Sequence, residues 1–217
     1  MKGVNATIDL KRPEFEFTLV RGQGEYLALT RPCEMSQAWS KRRPRARAFF
    51  HPSAIFPKLA RAIVNLSRFR AGGVFLDPFA GTGSLAIEAS QAGGTVIASD
   101  QVEKMARGSL ANMKHFGQSW LGVIRADAFS HPVTRVDAIA TDLPYGRASS
   151  TRGAEPEEIL RKTMDLLPLL LKEGSRMVLM HPRTLRVPES PAVALEEEHH
   201  LYVHKLLTRT ITVLRRR

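Results

Sequence analysis

Two short segments carry residues whose types and spacing suit chemistry on a small molecule. The first is Asp142-Leu143-Pro144-Tyr145, which closes the apolar run beginning at Val136. An exocyclic amine on a nucleic-acid base is a poor nucleophile while its lone pair is spread into the ring. Hydrogen bonds accepted from its N–H groups draw electron density back onto nitrogen. The Asp142 carboxylate and the Leu143 carbonyl are candidates for those acceptors, with Pro144 fixing the turn and Tyr145 stacking on an extruded base. An Asp-Xaa-Pro turn with Tyr145 as a packing residue is the structural alternative.

The second segment is Asp77-Pro78-Phe79-Ala80-Gly81-Thr82-Gly83-Ser84, placed between an apolar run and a helical pattern. Gly81 and Gly83 permit a tight turn that brings a ligand against bare backbone, and Asp100, at the end of the next apolar run, is placed to bond a ribose hydroxyl. To that point the pattern also suits a dinucleotide. Asp77 separates the two, because a carboxylate about 4 Å from a pyrophosphate oxygen costs on the order of 4 kcal/mol at an effective dielectric of about 20. S-adenosylmethionine has no phosphate and presents an ammonium and a sulfonium that a carboxylate favours. Asp127, followed by Ala128, is where an acceptor for the adenine amine is expected, since ligands of such sheets bind beyond the strands' carboxyl ends. Aligning nitrogen, methyl carbon and sulfur supplies roughly 7–11 kcal/mol of the barrier by orientation, so no strong base is needed.

The elements that must position these residues are legible from periodicity. Short apolar runs ending in Asp alternate with helical patterns: Val74 to Asp77, Val96 to Asp100, Val123 to Asp127 and Val136 to Asp142. This alternation predicts a doubly wound, mostly parallel α/β sheet. A helix is expected over Glu157 to Leu171, then strands at Met177 to Met180, Leu201 to Val203 and Thr210 to Leu214. Leu59, Ile63, Val64 and Leu66 give an earlier helix. The alternation of Ile8, Leu10, Phe15, Phe17 and Leu19, with turn residues Arg21 to Gly24, predicts a small antiparallel β extension. The expected organisation is a β-rich piece over 1–40 and the main domain over 41–217.

Composition narrows the partners. The chain has 217 residues and a formal net charge of +11, which favours a polyanion, because clustered Lys and Arg release counterions from phosphates. Cys33 is the sole cysteine, so no internal disulfide or multi-cysteine metal site is available. No apolar run reaches the roughly 20 residues of a membrane span, and no signal peptide is evident, so a cytoplasmic protein is expected.

With these motifs in view, the sequence resembles the amino-methylating branch of class I methyltransferases. Within that branch it is similar to the tRNA guanosine N2-methyltransferases whose catalytic domain follows a THUMP domain. Phe49-Phe50-His51-Pro52 leading into Pro57-Lys58-Leu59-Ala60-Arg61 resembles the family's entry helix, which implies that His51 flanks the methionine end of the cofactor. Asp142 to Gly146 with Arg147 resembles the tRNA branch, and Val203-His204 with Leu207-Thr208-Arg209 its closing hairpin. The resemblance runs from about Lys41 to the C-terminus and implies a Rossmann-like class I methyltransferase fold. It implies S-adenosylmethionine held by His51, Asp77, Phe79, Gly81, Thr82, Gly83, Asp100, Asp127 and Ala128, and catalysis by Asp142, Leu143, Pro144 and Tyr145. Leu143 stands where a proline is common, which leaves the carbonyl in place. The implied partner is RNA, tRNA first, presented by an RNA-recruiting domain or a small activator subunit in trans.

Three other features compete for attention. Lys41, Arg42, Arg43, Arg45 and Arg47 beside Phe49 and Phe50 suit either an RNA backbone track or a solvated linker. Glu196 to His200 lacks a ligand spacing and reads as a charged sheet edge, so no metal is expected. Cys33 lies far before the cofactor motif and reads as an apolar filler. Rival activities are rRNA guanine-N2 or DNA adenine-N6 methylation, or a non-catalytic cofactor- and RNA-binding module.

Overall fold

A computed structural model describes residues 7–31, 35–145 and 155–217, without the side chains of 35–37. Cys33, Gly146 and Arg147 lie outside the described residues. The chain divides into two compact units, Met1–Lys41 and Arg42–Arg217.

In the first unit, β1 (Glu16–Arg21) and β2 (Glu25–Thr30) pair antiparallel around the Gly22–Gly24 turn, and α1 (Met35–Lys41) follows. The β alternation expected from Ile8 onward starts later than its pattern suggests. Ile8 and Leu10 precede β1 and are exposed, while Asp9 accepts bonds from the Lys11 and Arg12 amides and so curls that stretch into a local turn.

The second unit is a seven-stranded sheet in the order β5-β4-β3-β6-β7-β9-β8. Its elements are α2 (Pro57–Leu66), β3 (Val74–Asp77), α3 (Ser84–Gln91), β4 (Thr95–Asp100), α4 (Glu103–His115), β5 (Gly122–Arg125), β6 (Val136–Asp142), α5 (Pro156–Leu166), β7 (Leu171–Pro182), β8 (Val193–His204) and β9 (Leu207–Arg216). Strands β5, β4, β3, β6 and β7 run parallel; β9 is antiparallel to both β7 and β8. Side chains alternate across the sheet between two cores. Phe75, Val96, Ala98, Ala138, Ala140, Val178 and Met180 meet α2, α3 and α4 on one face. Leu76, Ile97, Ile139, Met177 and Leu179 meet α5 on the other. Burial on both faces explains why these strands read as continuous apolar runs.

Three expected boundaries move. The third parallel strand ends at Arg125, so Asp127 lies in the loop beyond it. The helix expected to reach Leu171 ends at Leu166 and passes into a single 3₁₀ turn over Leu167–Leu170, because Pro168 has no N–H for the next helical bond. The final hairpin is longer than predicted, with β8 and β9 covering Val193–His204 and Leu207–Arg216.

The basic stretch before α2 is in part tied into the fold. Arg47 is buried, and its guanidinium donates to Thr82 Oγ1 (3.1 Å), Ser84 Oγ (2.7 Å) and the Ile55 carbonyl (3.0 Å). Arg42 donates to both oxygens of Glu88, at 2.8 and 3.2 Å. Phe49 packs on α4 at Gly108, where a Cβ would lie 2.0 Å from its ring. Arg43 and Arg45 remain exposed. At the charged edge, Glu196 pairs with Arg176 (2.6 Å) and Arg215 (2.8 Å), and Glu197 with Arg68 (2.8 Å).

Candidate active site

Strand order reverses at β3, which has β4 on one side and β6 on the other. Crevices form at such points because the connections leave in opposite directions. A cleft of about 570 Å³ opens there, beyond the carboxyl ends of β3, β4 and β6. The candidate catalytic and cofactor-binding residues all line it except Gly83.

Asp77 and Asp142 end the two strands that flank the reversal. Asp77 is buried, accepting bonds from Thr141 Oγ1 of β6 (2.7 Å) and the Phe79 amide (3.3 Å). Burial lifts its carboxyl to about 7 against those bonds, with the charges of Asp100 and Asp142 adding to the rise. Asp100 ties the glycine turn, its Oδ2 accepting from the Gly81 amide (2.9 Å) and its Oδ1 from the Val102 amide (2.8 Å). Burial raises its pKa as well.

Gly81 holds φ +52°, and a Cβ built on it would meet nothing within 4 Å, so its bare face fronts open space. Gly83 serves the scaffold instead. It caps α3 at φ +78°, and a Cβ there would fall 2.5 Å from Ser109 Oγ. Thr82 likewise spends its hydroxyl on Arg47 and Ser84. At the far end Asp127 accepts from the Phe129 amide (2.9 Å), next to buried Ala128. The Phe129 ring meets Phe79 edge to face with centroids 5.8 Å apart, giving an apolar wall wide enough for a base. His51 bonds Ser53 Oγ at 2.7 Å on the opposite rim.

Near Asp142 the polar groups are incompletely satisfied. Asp142 Oδ1, the Tyr145 hydroxyl and Arg209 Nε are buried without a hydrogen-bond partner among the described residues. Arg209 Nη1 reaches Asp142 Oδ2 at 3.5 Å, and its guanidinium carbon lies 5.4 Å from the Tyr145 ring centroid. Burial raises Asp142 to about 7 despite the pull of Arg209, and it raises the Tyr145 phenol to about 12. The Leu143 amide donates to the Met180 carbonyl (2.9 Å), which fixes the peptide that carries the motif. Phe129, Lys162 and Arg209 line the cleft without having been singled out for it. Phe129 follows Asp127 closely enough to be found by spacing, whereas Arg209 reaches Asp142 across 67 positions of chain.

Carboxylates from three neighbouring strand ends face one cleft, with an apolar aromatic wall and a bare glycine turn between them. That arrangement fits a ligand with a cationic end, a diol and an adenine, and disfavours a pyrophosphate. Asp100→Ala is expected to weaken S-adenosylmethionine binding about 5- to 150-fold, the equivalent of about 1–3 kcal/mol for unpaired polar groups. Calorimetry checks it, and unchanged affinity would remove Asp100 from the site.

Comparison with known proteins places the geometry among methyltransferases. A family model, RMKL-like methyltransferase domain, matches residues 44–200. The tRNA (guanine(10)-N2)-dimethyltransferase of Methanothermobacter thermautotrophicus is 36% identical over 216 residues, covering 96% of this chain and 63% of that protein. The enzyme of the same name from Methanocaldococcus jannaschii is 33% identical, covering 98% and 61%. The chain thus spans under two thirds of the length of these curated relatives. The crystal structure of TrmN from Thermus thermophilus superposes with a TM-score of 0.66 at 26% identity, over 96% of this chain and 62% of that one.

Proposed function

The chain belongs to the RMKL-like methyltransferase-domain family, and from that premise we propose that it methylates the exocyclic N2 of a guanosine in tRNA, with S-adenosylmethionine as donor. When bound, that cofactor supplies a methyl group on a sulfonium. Asp77 and Asp100 would hold its cationic and ribose parts, Gly81 would let it lie against backbone, and the Phe79–Phe129 wall with Asp127 and Ala128 would take the adenine.

The observation that carries the reading is Asp142 Oδ1, a buried carboxylate oxygen beside the cleft without a partner among the described residues. A buried acceptor left unpaired costs about 1–3 kcal/mol, and an amine N–H delivered there recovers that cost. Asp142 Oδ1 and the Leu143 carbonyl accept the two N–H bonds, keeping the nitrogen lone pair out of the ring. Pro144 holds the turn, and Tyr145 stacks on the base. Asp142 Oδ1, whose carboxyl burial raises to about 7, would take the N–H proton that nitrogen loses when the methyl group passes to it, the methyl–sulfur bond breaking with its electron pair left on sulfur.

The guanosine preference is supported by what the two curated relatives are named for, and the RNA preference also by the net charge of +11. Incubation with methyl-labelled cofactor and separate tRNA, rRNA and DNA fractions tests the substrate class. Label is expected in tRNA; label chiefly in rRNA or DNA would support one of the rival substrates instead.

A further inference from the structure

The last hairpin of the sheet supplies a residue to the site that the strand-end motifs do not contain. We infer that Arg209 of β9 is a positioning residue for the transfer, engaging Asp142 Oδ2 so that Asp142 stays a carboxylate and keeps Oδ1 for the substrate amine. The inference rests on the reading of Asp142 as the amine acceptor.

Asp142 shares its cleft with other acidic groups and with Arg209. Asp77 ends β3, Asp100 ends β4, and Asp127 follows β5, all lining the same cleft. From the other elements come His51, ahead of α2; Tyr145, three residues on; and Lys162 of α5, which is paired with Glu158 at 2.8 Å. Among the described residues, the cation within ion-pair distance of Asp142 is Arg209, at 3.5 Å. Both side chains are about one-fifth exposed, at 19% and 20%, so water screens the pair only in part.

Sheet topology puts it there. Arg209 pairs with Pro182 at the end of β7, and Met180 of β7 pairs with Asp142 of β6. The guanidinium therefore crosses Met180, whose Sδ lies 3.7 Å from Nη1, to reach the carboxylate two strands away. The same guanidinium lies against the Tyr145 ring and so links the acceptor to the stacking residue.

The chemical consequence follows from protonation. A carboxylate is acceptor-only, whereas a neutral carboxyl carries an O–H and has less acceptor capacity for an amine. Burial pushes Asp142 toward the neutral form, and the Arg209 charge opposes that. Without the Arg209 charge the neutral form of Asp142 would persist to higher pH.

The test is kcat/KM for tRNA methylation against pH in the wild-type chain, Arg209→Lys and Arg209→Gln, with Arg209→Met standing in should the glutamine variant not fold. The wild-type activity is expected to rise through an acid limb near pH 7, since burial pushes the Asp142 carboxyl up to about 7. Arg209→Gln is expected to move that limb up by about one to three pH units, so that most lost activity returns as pH rises, while Arg209→Lys keeps the limb near its original place. A glutamine variant whose limb is unmoved, whether active or uniformly slowed at every pH, would overturn the inference and leave the proposed function standing. A wild-type chain that methylates no guanosine at any pH would overturn the function and this inference with it.

Discussion

Asp142→Ala is expected to lower kcat for methyl transfer on the order of 10²–10³-fold, the usual cost of removing one preorganised electrostatic contact made in the transition state. The size follows from the surroundings. The carboxylate ends β6 with its Oδ1 buried and without a partner among the described residues, and its Oδ2 is held by Arg209. Among the described residues nothing else at that end of the cleft replaces it as an acidic acceptor, since Asp77 is already bonded to Thr141 and the Phe79 amide. Because the contact is made to the amine, cofactor affinity should stay within about twofold, the pattern of an interaction realised only in the transition state. Single-turnover transfer to tRNA and calorimetry with S-adenosylmethionine separate the two quantities. A variant that loses cofactor binding and rate together would place Asp142 among the cofactor ligands.

Glu88→Ala is expected to destabilise the domain by about 3–5 kcal/mol, the cost of breaking a buried ion pair by removing one partner. Glu88 sits on α3 at 1% exposure, bonded by Arg42 at 2.8 Å and by Arg61 of α2 at 3.1 Å. Its removal takes a shared carboxylate from two guanidinium groups, one of them only 11% exposed. For a domain of this size the loss corresponds to a fall in Tm of about 6–20 °C. The cluster also serves the site. It pins the segment running from Arg42 into α2, and that segment carries His51, Ser53 and Ile55 to the rim of the cleft. Thermal unfolding measures the effect, and a fall in Tm of less than about 2 °C would show that the two arginines find other partners or water.

The parts of this site that the sequence makes legible are those written into local pattern. Asp77, Asp100 and Asp142 each end an apolar run, and a strand buried on both faces must turn polar where the sheet stops. Gly81 and Gly83 mark a turn, yet spacing alone does not say which glycine faces the ligand. The distinction lies in Ser109 of α4, which crowds Gly83 and leaves Gly81 open. Asp127 is displaced beyond its strand because β5 is short and ends at Arg125, whose guanidinium turns to Glu103 at 3.2 Å.

The rest depends on contacts between distant segments. Arg47 reads as one of several basic residues in a linker, and only the fold brings Thr82, Ser84 and the Ile55 carbonyl around it. Even so, burial lowers its pKa only to about 10, so it remains charged within that pocket at neutral pH. Arg209 is similarly opaque, because a position in an alternating strand gives its face and not the motif it meets two strands away. Among the described residues no helix is long and apolar enough to cross a membrane.

The most direct test of the central claim is the identity of the modified nucleoside. Wild-type chain and Asp142→Ala, each with S-adenosylmethionine and tRNA, are followed by complete digestion and mass spectrometry of the nucleosides. The account predicts N2-methylated guanosine from the wild type and a trace at most from the variant. Methylation on an adenosine amine or on a ring carbon, or an equal yield of N2-methylated guanosine from Asp142→Ala, would contradict it.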